Sequence, residues 1–463
     1  MQTTPDPEPL TIQHTPAPSK RSRKNVFWAV SIALLVSAGM AFYWLTPSLT
    51  QAPPPAPAPG PAPTQDTNTG SPAPEPSAPP IDLLDSFLNS PHTASTIAFF
   101  GAAGCELAIT ADGSEPQIRK EQPGTTTMHL HQVSADEIPP ALASGLVFGM
   151  LVIVCSNPAL PTNSDLPCES RVLRLEKLLA AFGTVNASCL QVQGIVCLPE
   201  DLALPKTRFA VDVKCLILSH LSAAALEWAA RTIGLENCSL ALKICDAPDV
   251  QSLSVLGGFS VRVLHELDIR HLPQLVDLTC RLLGDAAFEG RLFLYGISPE
   301  LAQTSSLARN WACLGVDLAV WNKLTQCFDD TIQIESLFLV TNPDTLQASP
   351  IPAYPSLRQP KVRGLHLYQA SGADTMSLAT ARTLLNWAAS LFFGLDSLSV
   401  NAAGEQQIDG DLETYIQAGP VRVVSSPTLS SLTICARPCM LADPSPSAPE
   451  NNLYIFPTPH YLM

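Results

Sequence analysis

Charged residues are scarce in this sequence, and basic ones are the scarcer kind. Only 14% of the 463 residues are charged, and 41 acidic against 26 basic residues leave a formal net charge of -15. Nucleic-acid binding needs clustered Lys and Arg to neutralise phosphates. The composition therefore argues against a general affinity for nucleic acid.

The sequence also lacks the short motifs of catalysis and cofactor binding, with no G-x-S-x-G, P-loop, H-E-x-x-H or EF-hand pattern. His129 and His131 would share one face of a strand, but no nearby cysteine or carboxylate cluster completes a four-ligand metal site. The acidic pairs at residues 329–330 and 409–411 are typical of solvated turns. We therefore predict no catalytic residue, no cofactor and no metal.

One long stretch without a charge stands near the start of the chain, from Val26 to Leu45. At about 1.5 Å per residue, such a helix crosses a hydrocarbon core of about 30 Å. Basic residues cluster just before it, so the positive-inside rule predicts a cytoplasmic tail at residues 1–24 and a signal anchor at residues 25–46. All that follows is then lumenal or extracellular. A cleaved signal peptide and a buried helix of a soluble protein remain as alternatives.

Proline is unusually abundant, with 44 residues, but it is segregated along the chain. Residues 47–80 contain 13 prolines and almost no large apolar side chain. Such a segment cannot bury enough surface to fold. We interpret it as a disordered, semi-rigid stalk that holds the following domain away from the membrane.

Short Leu-x-Leu segments recur through the second half of the chain. Their first residues are 21 to 34 residues apart. They centre on Leu190-Gln191-Val192, Leu216-Ile217-Leu218, Leu240-Ala241-Leu242, Leu267-Asp268-Ile269, Leu292-Phe293-Leu294, Val316-Asp317-Leu318, Leu337-Phe338-Leu339, Leu365-His366-Leu367, Leu398-Ser399-Val400 and Leu432-Thr433-Ile434. This periodicity predicts a series of short strands at one phase.

Amphipathic segments lie between the predicted strands. Residues 223–233 and residues 378–392 both show apolar spacing typical of helices, and both contain Trp-Ala-Ala, at Trp228 and Trp387. Trp311-Ala312 is interpreted as a shortened third copy. Strand and helix therefore recur together.

The longer units carry a recognisable pattern. Ile334-x-x-Leu337-x-Leu339-x-x-Asn342 resembles the strand L-x-x-L-x-L-x-x-N/C of leucine-rich-repeat proteins, and Leu240-x-Leu242-x-x-Cys245 matches its second half with a cysteine. The resemblance covers residues 173–437 and is nearest to the ribonuclease-inhibitor-like and cysteine-containing types.

This resemblance implies an α/β solenoid, a horseshoe with parallel strands inside and helices on its convex side, at residues 173–440. A C-terminal tail follows at residues 441–463. Prolines within residues 343–362 predict a loop at which the horseshoe breaks.

Residues 81–172 are predicted to form the N-terminal part of the outer domain. Segments at residues 128–130 and 151–153 predict two earlier strands, which would make this region a cap of the solenoid. Residues 141–155 carry no charge. A second membrane span is one interpretation of them, but a buried strand-helix segment suits this length better.

The resemblance also implies a concave binding face, made of the positions that flank the buried leucines. Aromatic and Arg residues, which protein interfaces favour, are frequent there. The candidate protein-binding residues are Glu266, Asp268, Arg270, Arg291, Phe293, Tyr295, Phe338, His366 and Tyr368. A neighbouring loop or the C-terminal tail covering the aromatic residues is the alternative.

Two kinds of modification are suggested on the outer side. Cys189 and Cys215 directly precede the first leucine of adjacent strands, so a cross-strand disulfide is geometrically possible. Asn186 and Asn237 stand in Asn-x-Ser triplets that accept N-glycans. Both triplets are expected just before strands, and Asn186 is the slightly preferred acceptor.

Together these features predict a membrane-anchored recognition protein whose partner is another protein of unknown identity. Two alternatives remain from other classes. One is a secretory-pathway enzyme or maturation factor with an unrecognised site, and the other is a structural surface protein.

Overall fold

The computed structural model describes a large part of the chain after the predicted stalk. The described residues are 83–109, 116–119, 125–156, 168–198, 208–301, 307, 309–326, 328, 331–341, 360–369, 375–376, 378–392, 394–402, 407–408, 421–424, 431–434, 437–442 and 452–457. The predicted tail, anchor and stalk at residues 1–80 lie outside them. Within the described residues, no helix is both long and apolar enough to cross a membrane.

The structure is of the α/β class. Its strands are β1 Glu106–Ile109, β2 Pro116–Arg119, β3 Thr125–His129, β4 Phe148–Val154, β5 Thr184–Gln193, β6 Phe209–Ser219, β7 Ile233–Cys245, β8 Val261–Arg270, β9 Arg291–Tyr295, β10 Trp311–Asp317, β11 Gln333–Thr341, β12 Lys361–Gln369, β13 Thr375–Met376, β14 Ser397–Ala402, β15 Gln407–Ile408, β16 Val421–Val424, β17 Ser431–Ile434, β18 Arg437–Ala442 and β19 Asn452–Pro457. Its helices are α1 Leu83–Leu88, α2 Thr93–Ala102, α3 Cys168–Phe182, α4 Ala223–Thr232, α5 Arg281–Gly284, α6 Leu318–Leu324 and α7 Leu378–Leu391. Short 3-10 turns occupy Leu130–Gln132, Ala135–Glu137 and Leu253–Gly258.

One open sheet organises these elements. From β3 to β12 the strands follow one another in chain order, then come β14 and β17, and every pairing along this series is parallel. The far end of the sheet is antiparallel, with β18, β19 and β16 added beyond β17. The predicted C-terminal tail thus contributes β19.

The register of the parallel strands pairs the same two apolar positions on each strand with those of the next. The paired residues run from Leu151 and Ile153 on β4 to Leu398 and Val400 on β14, and each is at most 4% exposed. They belong to one core that also contains the apolar residues of α3, α4, α6 and α7. Successive side chains of a strand point to opposite faces of the sheet. The two apolar side chains therefore face the helices, and the residues between and beside them lie on the opposite face.

The register corrects two of the predicted repeat units. Leu242, rather than Leu240, pairs with Leu216 on β6 and with Leu267 on β8. Likewise Leu314, rather than Val316, pairs with Leu292 on β9 and with Leu337 on β11, and Leu318 already begins α6. Both units contain three alternating apolar residues, so the sequence pattern leaves the register ambiguous by two positions.

The turns after the strands also differ from the expected Asn or Cys pattern. His220, Asp246 and His271 occupy the same left-handed position after β6, β7 and β8, with φ of 53°, 55° and 54°. Each backbone N–H donates to the last carbonyl of the following strand, at 2.8 to 3.0 Å. The turns are therefore closed by backbone bonds, and an Asn or Cys side chain is not needed for that purpose.

Cys245 is consequently not a turn cysteine. It is the last residue of β7 and pairs with Ser219 and Arg270. The position that corresponds to the expected Asn or Cys holds buried apolar residues after five successive strands, namely Ile195, Leu221, Ala247, Leu272 and Ile297.

The segments between strands are helical where the sequence predicted helices. Residues 223–232 form α4 and residues 378–391 form α7, with Trp228 and Trp387 buried. Ser222 caps α4 by accepting a hydrogen bond from the Ala225 amide, 3.2 Å away. Trp311, in contrast, begins strand β10, so its interpretation as a third helical copy was wrong.

The sheet tests two further predictions that were made from the sequence. The uncharged residues 141–155 contain strand β4, which is almost wholly buried between β3 and β5, so they form no second membrane helix. The sheet also continues across the proline-rich interval, because β11 and β12 pair along nearly their whole length. The expected break of the strand series at residues 343–362 was therefore wrong.

Candidate protein-binding face

The face of the sheet that is turned away from the helices forms what we name the open face. Its side chains form three columns that run across the strands. On each strand the first column holds the residue before the two buried apolar positions, the middle column holds the residue between them, and the third column holds the residue after them. On β7 to β12 the middle column reads Lys243, Asp268, Phe293, Gly315, Phe338 and His366.

The register brings all nine predicted binding residues onto this face. Glu266 and Arg291 are in the first column, and Arg270, Tyr295 and Tyr368 are in the third. The other four are in the middle column. The site thus spans five neighbouring strands, β8 to β12.

An ion-pair network occupies the β7–β8 part of the open face. The Asp268 carboxylate accepts from Arg270 Nε at 2.8 and 3.0 Å, and the Arg270 terminal nitrogen lies 2.8 Å from Asp268 Oδ2. Lys243 Nζ lies 3.3 Å from Glu266 Oε1 and 3.6 Å from Asp268 Oδ2. Two cations and two carboxylates therefore neutralise one another.

The two carboxylates of this network are not exposed, contrary to the sequence expectation. Glu266 is 4% and Asp268 only 1% exposed. The half-buried Lys243 and Arg270 are instead the members that reach solvent. Burial lowers the pKa of Lys243, but the carboxylates of Asp268 and Glu266 outweigh burial and raise its pKa overall.

Aromatic side chains form an adjoining ledge on β9 to β12. Phe338 stacks on His366 with ring centroids 4.4 Å apart and planes 12° apart, and on Tyr368 at 6.2 Å. Phe293 packs edge-on against Phe338 at 5.8 Å, and it lies against Tyr295 at 6.1 Å with the two ring planes tilted by 33°. We name these five residues the aromatic ledge. All of them are half-buried, because they cover one another.

Gly315 on β10 makes the continuous ledge possible. A Cβ atom placed there would come within 2.3 Å of both Phe293 Cδ1 and the Tyr295 hydroxyl oxygen. The rings of β9 therefore lie over a strand that has no side chain at this position, and Phe293 reaches Phe338 two strands away. Glycine inside a strand often marks such a close approach.

The ledge and the ion-pair network are joined at Tyr295. The Arg270 guanidinium lies over the Tyr295 ring, 5.7 Å from its centroid. Burial raises the pKa of Tyr295 well above its usual range, so this phenol stays neutral. Burial also lowers the pKa of His366, which favours the neutral imidazole within the stack.

The other singled-out residues lie apart from this region. His129 ends β3, while His131 is in the next 3-10 turn, with ring centroids 5.4 Å apart. No group of three or more metal-binding side chains occurs among the described residues. Asn186 and Asn237 lie inside β5 and β7 rather than before them; Asn237 is exposed, whereas Asn186 is half-buried.

Sequence reasoning missed Lys243 and Gly315. Both fall in the two units whose register was misassigned, so neither was placed on the binding face. The sequence did contain a signal for each of them. Lys243 stands between the apolar residues Leu242 and Ile244, and Gly315 stands between Leu314 and Val316.

The open face therefore combines partly exposed cationic groups with stacked rings, whereas the carboxylates beneath are buried. Such a surface can donate hydrogen bonds to carbonyl or carboxylate oxygens while it packs apolar side chains. Comparison of the chain with protein-family models, curated proteins and solved structures finds no match in any of the three.

Proposed function

We propose that this chain is a membrane-anchored recognition protein that presents a leucine-rich-repeat solenoid and binds another protein through its open face. The aromatic ledge beside the neutralised ion pairs carries the proposal. Half-buried Phe, Tyr and Arg side chains in one contiguous patch are the composition that protein interfaces favour.

The repeat assignment is supported by the fold. Parallel strands follow one another in chain order, and their two apolar positions stay in register through strand-plus-helix units. The buried apolar residues after the strands depart from the Asn or Cys of the usual repeat. The proposed solenoid therefore belongs to a divergent type.

The membrane anchor rests on residues 26–45 and on the basic cluster before them. This topology places the repeats in a lumenal or extracellular space. Cys197 is disulfide-bonded, which suits an oxidising compartment. Protease protection in sealed membranes tests the topology: a protected C-terminus with accessible residues 1–24 supports it, and the reverse pattern overturns it.

Binding is tested by proximity labelling with the full-length chain in its own cells. The Phe293→Ala, Tyr295→Ala double variant removes two of the five ledge rings, and Leu173→Ala, at an exposed residue of α3, is the matched control. We expect the double variant to lose at least about tenfold in the labelling of specific neighbours, which is about 1.4 kcal/mol. Equal labelling by both variants would remove this face as the binding site.

A further inference from the structure

Two cysteines face each other on the open face, away from the aromatic ledge. Cys189 on β5 and Cys215 on β6 are direct partners in the parallel register. Both are half-buried free thiols. The sequence suggested a disulfide here; the structure confirms that the positions are adjacent and holds the pair in the reduced form.

The strand geometry permits a disulfide between them but does not favour a relaxed one. Parallel strands are about 4.8 Å apart, which is within the Cα separation of natural disulfides. In-register side chains leave their strands in the same direction, so their Cβ atoms also stay near that spacing. Disulfides prefer a Cβ separation of about 3.8 Å. A bond at this position would be strained, and strained disulfides are the readily reduced ones.

The surroundings make the two thiols unequal. The interaction between the two neighbouring sulfur atoms lowers the pKa of Cys215 and raises that of Cys189. Lys243 on the next strand adds a nearby positive charge that also lowers the pKa of Cys215, against burial and the carboxylates of Glu266 and Asp268. The thiolate therefore forms preferentially on Cys215.

We propose that Cys189 and Cys215 form a thiol–disulfide exchange site that reacts with disulfides of low-molecular-weight thiols. The Cys215 thiolate attacks one sulfur of the small disulfide, that S–S bond breaks, and one small thiolate leaves. The Cys189 thiol then loses its proton to the departing group and attacks the Cys215 sulfur of the mixed disulfide. The second small thiolate leaves, so two protein thiols are oxidised while one small disulfide is reduced to two thiols.

The open face contains two further cysteines that serve as internal comparisons. Cys313 occupies the same column as the pair, but its neighbours are Arg291 and Ser336. Cys245 pairs with Ser219 and Arg270, and burial raises its pKa to about 12. Neither has a cysteine opposite it, so neither can complete the second step.

The test equilibrates the natively folded full-length chain with buffers of different ratios of reduced to oxidised glutathione. Thiols are then quenched by alkylation, and peptide mass spectrometry assigns the state of each cysteine. We expect the Cys189–Cys215 disulfide to form and to disappear reversibly across the series. Cys189→Ser should instead trap a stable glutathione adduct on Cys215, and Cys215→Ser should slow adduct formation at Cys189 about tenfold or more.

Cys313→Ser is the matched control and should leave the exchange of the pair unchanged. The wild-type measurement needs no substitution, so it decides the matter even if a variant misfolds. Thiols that stay free at every ratio would overturn the proposal. A disulfide that persists at every ratio would overturn it as well, because the bond would then be structural.

Discussion

Phe293 on β9 contacts Phe338 on β11 across an entire intervening strand, with ring centroids 5.8 Å apart. The contact exists because β10 carries Gly315 between them. A backbone without a side chain is thus a structural part of the aromatic ledge, and this relationship gives the most direct test of the site.

Replacing Gly315 with Ala should disrupt the ledge. The new Cβ would collide with the rings of Phe293 and Tyr295, which would have to swing away from Phe338. We expect a loss of about 1–3 kcal/mol in the free energy of unfolding, as is usual for overpacking. Urea unfolding of the full-length chain in mild detergent measures it, together with near-ultraviolet circular dichroism of the aromatic groups.

Gly284→Ala is the control for this substitution, because a Cβ there would meet nothing within 4 Å. It should leave stability the same or slightly improved. If both alanine variants behaved alike, the ledge would not depend on Gly315.

Removing the charge of Asp268 should be one of the most damaging single changes on the open face. Asp268→Asn leaves Arg270 and Lys243 without their main counter-charge in a poorly solvated position. Breaking a buried pair from one side costs about 3–5 kcal/mol. Urea unfolding measures this loss as a lower midpoint of the transition, with an unchanged dependence of the unfolding free energy on urea concentration.

Glu236→Gln provides the comparison for Asp268. Glu236 pairs with Arg208 at the surface, where both side chains are more than a third exposed. Such pairs contribute about 0–1 kcal/mol. If Asp268→Asn lowered the free energy of unfolding by no more than this, the buried ion-pair network would not stabilise the fold.

The turn residues Asp246 and His271 predict a modest pH dependence of stability. Their side chains are hydrogen-bonded, with His271 Nδ1 3.0 Å from Asp246 Oδ1. This bond raises the pKa of His271 above its ordinary 6.5 and lowers that of Asp246 below its ordinary 3.8. The histidine contribution is complete below pH 6.5 and is lost as the pH rises through the raised pKa, whereas the aspartate contribution is lost as the pH falls below 3.8.

The free energy of unfolding of the wild-type chain should therefore fall as the pH rises above 6.5, and His271→Asn should make this fall smaller. Asparagine tolerates the left-handed backbone at this position, so the change removes the ionisable group without new strain. The effect should stay below about 1 kcal/mol because the His271 side chain is 60% and the Asp246 side chain 39% exposed. His92→Asn is the control, since His92 forms no ion pair among the described residues. An unchanged pH profile in His271→Asn would exclude the pair as its source.

Exposure predicts which asparagine carries a glycan if the repeats face the secretory lumen. Asn237 is exposed at a register irregularity of β7, whereas Asn186 is half-buried and paired with Asp212 on β6. We expect Asn237→Gln to abolish a glycosidase-sensitive gel shift and Asn186→Gln to leave it. The opposite result would mean that glycosylation precedes folding of β5.

Most of the parallel strand series could be predicted from spacing alone. Leu190, Leu216 and Leu267 were assigned to the correct strands, and α4 and α7 end within one residue of their predicted limits. Where a unit contains three alternating apolar residues, spacing alone leaves the register open, because a shift of two residues keeps the same face of the strand buried. Lys243 and Gly315 were missed for that reason.

The sequence by itself determined the α/β class with its series of parallel strands, the segregation of proline and the aromatic character of one face, because these depend on local periodicity and composition. Only the tertiary structure decided which carboxylates are buried, which rings stack and that Lys243 and Gly315 belong to the open face. Those relationships depend on the register between strands about 25 residues apart in the chain, which side-chain packing selects and local pattern does not encode.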